Sequence, residues 1–153
     1  MSAEKDANSP YLNDPNSPVF NAGIIEEFRK RGGSVGGFFE GMPMLLLHHR
    51  GARSGIDRVN PLVYQSVGDA FAVFATKGGG PVHPGWYFNL KANPDTKVEV
   101  GSETVKVRAR ELHGAEREEV WEREKRLVPG YAPYEEMVRG IRELPVILLE
   151  RRS

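Results

Sequence analysis

The sequence predicts a mainly β fold with helices (α+β), arranged as a small closed or split antiparallel β-barrel. Three observations carry this. Six short segments rich in Val, Ile, Leu, Phe or Thr are bounded by turn residues. Helical spacing appears between hairpins rather than after each strand, which excludes a doubly wound parallel sheet. No internal repeat of solenoid length is visible.

Residues 1–17 are rich in Asn, Ser, Asp and Pro, a composition that buries little apolar surface, and are expected to form a flexible N-terminal tail. Residues 18–153 are expected to form one domain. Ser17-Pro18 reads as an N-cap followed by proline at the first helical position. Phe20, Ile24 and Phe28 then recur every four residues, giving an amphipathic helix to Arg31. Gly32-Gly33-Ser34-Val35-Gly36-Gly37 ends it.

The period then changes. Met44 to His49, a turn over Gly51 to Asp57, and Arg58 to Ser66 predict a hairpin, and Ala70 to Thr76 adds a third strand in meander order. Thr96 to Val100 and Glu103 to Arg110 flank Gly101-Ser102, and this two-residue loop sets Val98 opposite Val105 on the core face. Between the hairpins Trp86 to Ala92 has helical spacing. Ala115 to Val128 is a longer helix with Glu119/Arg123 and Glu122/Arg126 as i,i+4 pairs and Val120, Trp121, Leu127 and Val128 on its apolar side. A last helix around Tyr134 to Arg142 leads into Pro145 to Glu150, a closing central strand.

The composition excludes several kinds of function. With 153 residues there is room for one domain. Lys plus Arg and Asp plus Glu each total 21, so no basic footprint for nucleic acid is present. The absence of cysteine removes disulfides, thiolate metal sites and cysteine nucleophiles. Met42 to Leu47 and Pro145 to Leu149, the longest apolar runs, are far shorter than the roughly 20 residues that cross a bilayer, so no integral membrane segment is expected. The polar start has no secretory pattern, and a cytoplasmic location is expected.

Several candidate sites carry competing readings. Gly32 to Gly36 matches G-x-S-x-G, but a nucleophile elbow joins a strand to a following helix, whereas here a helix precedes the glycines; Ser34 is read as a loop serine. His48 and His49 are adjacent on a strand and point to opposite faces, so they cannot grip one metal, and no metal site is expected. One ring is placed in the core and one at the surface. Arg50, Arg53 and Arg58 surround the first hairpin turn with Ser54 and the amides of Gly51 and Gly55, a set suited to an anion or to a solvated hairpin end. Lys77-Gly78-Gly79-Gly80 has the wrong order for a Walker loop. Trp86-Tyr87-Phe88-Asn89-Leu90 mixes stacking faces with a carboxamide, as core packing or a planar heterocycle would need. Tyr131 and Tyr134 share a helical face.

Four motifs in order carry a resemblance: Gly51-Ala52-Arg53-Ser54-Gly55, Arg58-Val59-Asn60-Pro61-Leu62, Lys77-Gly78-Gly79, and Pro84-Gly85-Trp86-Tyr87-Phe88-Asn89-Leu90-Lys91-Ala92-Asn93-Pro94. From about Phe38 to its end the chain resembles the deazaflavin (coenzyme F420)-dependent nitroreductase family. The resemblance implies a split β-barrel of the FMN-binding-like kind and coenzyme F420, an 8-hydroxy-5-deazaflavin with a phosphodiester and an oligoglutamyl tail. It implies that Arg53, Ser54 and Arg58 hold the phosphate and glutamyl tail, that Ala52 belongs to the cofactor-binding set, and that Val59, Asn60, Pro61, Leu62 and Val63 run beside the cofactor. Ala75, Thr76, Lys77, Gly85, Trp86, Tyr87, Phe88 and Asn89 would surround the ring system and its side chain. Thr76, Tyr131 and Tyr134 would border the acceptor. The implied reaction is hydride transfer from reduced F420 to a small electron-poor acceptor, a quinone, activated alkene or nitroaromatic. An FMN-binding oxidoreductase and a non-catalytic F420 carrier are the alternatives. Exposed barrel edges and aromatics leave room for a homodimer.

Overall fold

The computed structural model describes residues 18–153; the Ser17 cap and the expected tail lie outside the described residues. Helix α1 spans Pro18–Lys30. Six strands follow: β1 (Met44–Arg50), β2 (Asp57–Val67), β3 (Ala70–Phe74), β4 (Asp95–Val100), β5 (Glu103–Glu111) and β6 (Val146–Arg151). They close into an antiparallel barrel in the order β1-β2-β3-β6-β5-β4. The fold is therefore the expected α+β barrel, with β6 inserted between β3 and β5. Leu149 faces Phe71 on one side and Ala109 on the other.

Period-2 alternation fills the interior. Leu45, Leu47, Phe71, Val73, Val98, Val107, Ile147 and Leu149 meet inside the barrel. Val98 pairs with Val105, and Val105 packs against the same core. The opposite faces of β3 and β6 are covered as well: Ala72, Phe74, Val146 and Leu148 pack against Val120, Trp121 and Leu144. Burial on both faces explains why these two strands read as continuous apolar runs. On another outer face α1 lays Ile24, Ile25 and Phe28 over Met44, Leu46 and Val63. Each fully buried Leu contributes roughly 1.5–3 kcal/mol relative to exposure.

Helix α2 spans Gly85–Ala92, α3 Gly114–Leu127 and α4 Ala132–Met137, with single 3₁₀ turns at Lys77–Gly79 and Pro129–Tyr131. Three expectations need correction. The last helix begins earlier than Tyr134 and stops at Met137, because Gly140 takes a left-handed φ of 77° in the turn that follows. Leu127 is not on the buried side of α3; it is 61% exposed, while Arg117 and Glu124 are buried with Val120 and Trp121. Glu122 pairs with Lys125 at 2.8 Å, a contact three rather than four residues along the helix.

The Gly32 to Gly37 run serves packing. Gly33 has φ +104°, and a β-carbon there would lie 2.6 Å from Gly101 Cα in the β4–β5 turn. Only glycine lets the two turns touch. Ser34 is exposed beside it. Among the described residues, no helix is long and apolar enough to cross a membrane.

Candidate active site

A cleft of about 990 Å³ runs along β2 from Arg58 to Ser66. One wall is the Thr76-Lys77-Gly78 segment with Pro84, Gly85, Trp86 and Asn89 of the α2 entrance; the other is Arg123 to Tyr131 and Tyr134 from α3 and α4. Phe39 and Met42 to Pro43 close its side.

Of the expected residues, Arg58, Asn60, Pro61, Leu62, Val63, Thr76, Lys77, Gly85, Trp86, Asn89, Tyr131 and Tyr134 line this cleft. Ala52, Arg53, Ser54, Val59, Ala75, Tyr87 and Phe88 are not among its lining residues. Val59 packs on the α1 side, and Ala75 is fully buried. Tyr87 belongs to the barrel core; its hydroxyl donates to Glu111 at 2.7 Å, and burial, with Glu111 adding to it, pushes the phenol far up. Phe88 is 49% exposed. Ala52, Arg53 and Ser54 sit on the exposed hairpin turn.

The turn itself differs from a free anion nest. Gly51 N–H donates to the Ile56 carbonyl and Gly55 N–H to the Gly51 carbonyl, both at 2.9 Å. Ser54 Oγ accepts from the Ile56 amide at 3.1 Å. Arg50 reaches Asp57 at 3.0 Å. The two glycine amides and Arg50 are therefore engaged within the hairpin, while Arg53 and Arg58 extend into solvent and cleft.

A directed chain of hydrogen bonds joins the turn to the cleft. Asn89 Oδ1 accepts from the Ala52 N–H at 2.9 Å, which fixes the amide orientation and makes its Nδ2 the donor to His49 Nδ1 at 3.0 Å. His49 then carries its proton on Nε2 and donates it to Asn60 Oδ1 at 2.7 Å. Burial, offset in part by the bond to Asn60, lowers the His49 pKa, so the ring is neutral. The placement of the two histidines agrees with the parity argument. His49 shares its face with Leu45 and Leu47, while His48 on the other face bonds Glu99, which also holds Arg29 of α1. That His49 lines the cleft was missed by the sequence reading.

The far end of the cleft was missed almost entirely. Gln65 Nε2 donates to the Val120 carbonyl and to Glu124 Oε1, each at 3.1 Å. Gln65 Oε1 and Glu124 Oε2 are buried without a partner among the described residues. Burial raises the Glu124 pKa, although the bond from Gln65 opposes it. Tyr131 packs beside this acid, stacked on Trp121 at 6.2 Å and edge-on to Phe74 at 5.9 Å, with Tyr134 5.7 Å away. Burial raises its pKa too, with Glu124 next, so the phenol is a proton donor at neutral pH. A helical count from Val120 and Trp121 to Glu124 was the available signal, since these positions share a face.

A family model described as F420H(2)-dependent quinone reductase matches residues 24–151. An F420H(2)-dependent quinone reductase of Mycobacterium tuberculosis is 37% identical over 129 residues, covering 82% of this chain and 85% of the relative. A solved structure described as an F420-H2 dependent reductase is 40% identical with a TM-score of 0.64, covering 71% of this chain and 94% of that one. Another, described as a domain-swapped dimer, is 36% identical with a TM-score of 0.66, covering 84% of this chain and 96% of that one. The motif resemblance named nitroreductases, whereas the matching model is described by quinone reduction. On these grounds, and on a cleft assembled from the motif residues, the chain belongs to the F420H(2)-dependent quinone reductase family.

Proposed function

We propose that this protein reduces a quinone-class acceptor with F420H2 on one domain spanning residues 18–153. The observation that carries the reading is the gradient along the cleft. Seven residue steps from Arg58 to Gln65 span about 23 Å of strand. Cationic and hydrogen-bonding groups (Arg58, His49, Asn89) lie at one end and aromatic groups with a buried acid (Phe74, Tyr131, Glu124) at the other.

The residues present fit a deazaflavin with an anionic tail. Arg58 and Lys77, with Arg53 on the turn above, hold the phosphate and glutamate charges; a charge-assisted hydrogen bond of this kind is worth roughly 1.5–3 kcal/mol. Ala52 and Ser54 shape that turn rather than contact the ring. Asn89 fixes the turn against α2. Trp86, Pro61, Leu62 and Val63 supply an apolar bed for the planar ring, with Ala75 and Tyr87 in the same core cluster as Trp86; Val59 on the α1 side and the half-exposed Phe88 stand outside it. Gly85 leaves space for close approach.

When bound, reduced F420 supplies a hydride from carbon 5. The protein supplies orientation and a proton-donating wall. Thr76 and Tyr131 donate hydrogen bonds to the acceptor oxygen as negative charge develops there, and the raised Tyr131 pKa keeps its proton in place until then. Tyr134 and Leu127 shield the acceptor from water.

Titration of the protein into oxidised F420, followed by fluorescence polarisation with FMN as competitor, tests the cofactor. Saturable binding that FMN fails to displace supports the reading; displacement by FMN overturns it. Oxidation of F420H2 that depends on added benzoquinone or naphthoquinone then separates an enzyme from a carrier. The domain-swapped relative supports a homodimer, which sedimentation equilibrium tests.

A further inference from the structure

Outside the cleft lining, Arg142 carries four acceptors and, among the described residues, no carboxylate. Arg142, in the turn between α4 and β6, donates from Nη1 to the Ala75 carbonyl at 3.1 Å and to His83 Nδ1 at 2.9 Å. Its Nη2 reaches the Thr76 carbonyl at 2.8 Å and its Nε the Gly80 carbonyl at 3.0 Å. All three carbonyls belong to the segment between β3 and α2 that forms one cleft wall.

That segment takes a conformation that glycine permits at two positions and a β-carbon opposes at the third, Lys77. Lys77, Gly78 and Gly79 have φ of 47°, 62° and 81°, three consecutive left-handed residues of which one bears a β-carbon. Such a conformation persists only when its surroundings fix it from several sides. Arg142 holds both ends. From α4, Met137 covers the middle, where a β-carbon on Gly79 would lie 2.7 Å from its Sδ.

We propose that Arg142 is a positioning residue that holds the Thr76–Gly80 wall in its cofactor-binding shape through a neutral His83, and that protonation of His83 loosens this wall and weakens F420 binding. The proposal rests on the F420 reading above. A guanidinium has only donors, so His83 Nδ1 must present its lone pair and Nε2 must carry the hydrogen. A proton on Nδ1 sets donor against donor and cation against cation.

The groups around the ring decide where this happens. Arg142 faces it from the turn before β6, Lys91 acts from α2, Glu111 from the end of β5, and the Tyr87 and Phe88 rings of α2 lie at 4.7 and 5.8 Å. Burial, then Arg142, lower the His83 pKa, while Glu111 opposes them. Proton uptake therefore falls on the acid side of the ordinary histidine value. His49, which is also neutral, lies in the separate chain from Asn89 to Asn60.

The test measures the F420 dissociation constant between pH 5 and pH 8 for the wild type and for His83→Asn, whose Oδ1 replaces the Nδ1 acceptor and does not titrate. Titration of the cofactor and of His49 is common to both proteins and cancels in the ratio. The expected result is that wild-type affinity falls relative to the variant by up to tenfold per pH unit below the His83 pKa, the linkage limit for one proton. Arg142→Lys, which cannot reach four acceptors from one ammonium, is expected to bind at least tenfold more weakly at pH 8. A second readout needs no cofactor: in ¹⁵N spectra of the free protein, His83 carries its proton on Nε2 at pH 8, and the Thr76 to Gly80 amide shifts follow its titration. Superimposable pH profiles of wild type and His83→Asn, or Thr76 to Gly80 amides indifferent to the His83 titration, overturn the proposal. Failure of the wild type to bind F420 at pH 8 overturns the cofactor reading instead, while the ¹⁵N titration still decides whether the wall is held by neutral His83.

Discussion

Replacing Asn89 with alanine tests how the hairpin turn is tied to the cleft. The side chain makes two bonds of different weight: it accepts from the exposed Ala52 amide at 2.9 Å and donates to Nδ1 of His49, a residue only 5% exposed. Water replaces the first, at about 0.5 kcal/mol; loss of the second leaves a buried acceptor unpaired, at about 1–3 kcal/mol. The sum, about 1.5–3.5 kcal/mol, corresponds to a fall in Tm of roughly 3–14 °C for a domain of this size. Urea titration monitored by tryptophan fluorescence measures it, since Trp86 and Trp121 are both buried. The F420 dissociation constant should rise at least fivefold, because Arg53 rides on the released turn. Asn89→Asp discriminates further. It keeps the Ala52 bond but turns two lone pairs toward each other at His49 unless the ring takes a proton, so the His49 pKa should rise. The folded-state stabilisation of that variant is then present at low pH and lost as pH rises through the raised value. An Asn89→Ala protein within about 0.5 kcal/mol of wild type, with unchanged cofactor affinity, refutes the directed chain.

Arg58→Ala should weaken F420 binding by roughly 1.5–3 kcal/mol, about 10- to 150-fold, with little change in Tm; isothermal titration calorimetry measures this, and equal affinity removes Arg58 from the anion site. Tyr131→Phe should lower kcat for quinone reduction at saturating cofactor while leaving the F420 dissociation constant within twofold, and an unchanged kcat removes its donor role. Glu124→Gln should be more stable than wild type above pH 5. The raised folded-state pKa means that the native protein binds more protons than the unfolded chain in this range, so wild-type stability falls as pH rises from the ordinary glutamate value toward the raised one. A stability difference between the two proteins that does not grow from pH 4 to pH 8 in urea denaturation counts against a buried neutral acid.

Strand periodicity was legible because one face of each hairpin meets the barrel interior: Val98 and Val105 pair as the Gly101-Ser102 loop requires. The closing position of β6 followed from its unbroken apolar run, which only a strand covered on both faces shows. The cleft was legible as motifs but not as geometry. Tyr87 and Phe88 stand beside Trp86 in the sequence, yet a helix turns them about 100° apart per residue, so the trio separates into cleft, core and surface. Leu127 looked apolar and lies exposed, while Glu124 looked polar and lies buried, because α3 covers the barrel through Val120 and Trp121 and the spacing from these, not residue character, decides its inner face. The chain from Ala52 through Asn89 and His49 to Asn60 spans three elements. No local pattern encodes a contact whose partners are 40 residues apart.

The place of β6 has a consequence for synthesis. It fills the gap between β3 and β5, and β1 pairs with β4, so residues 44–111 can assemble only one open five-stranded sheet, in the order β3-β2-β1-β4-β5, until Val146 to Arg151 have left the ribosome. During that interval Phe71 to Phe74 and Val107 to Glu111 are unpaired edges, and the matching stave from a neighbouring nascent chain satisfies them as well as the chain's own. Closure within one chain then competes with closure between two, local chain concentration against the reach of the 112–145 connection.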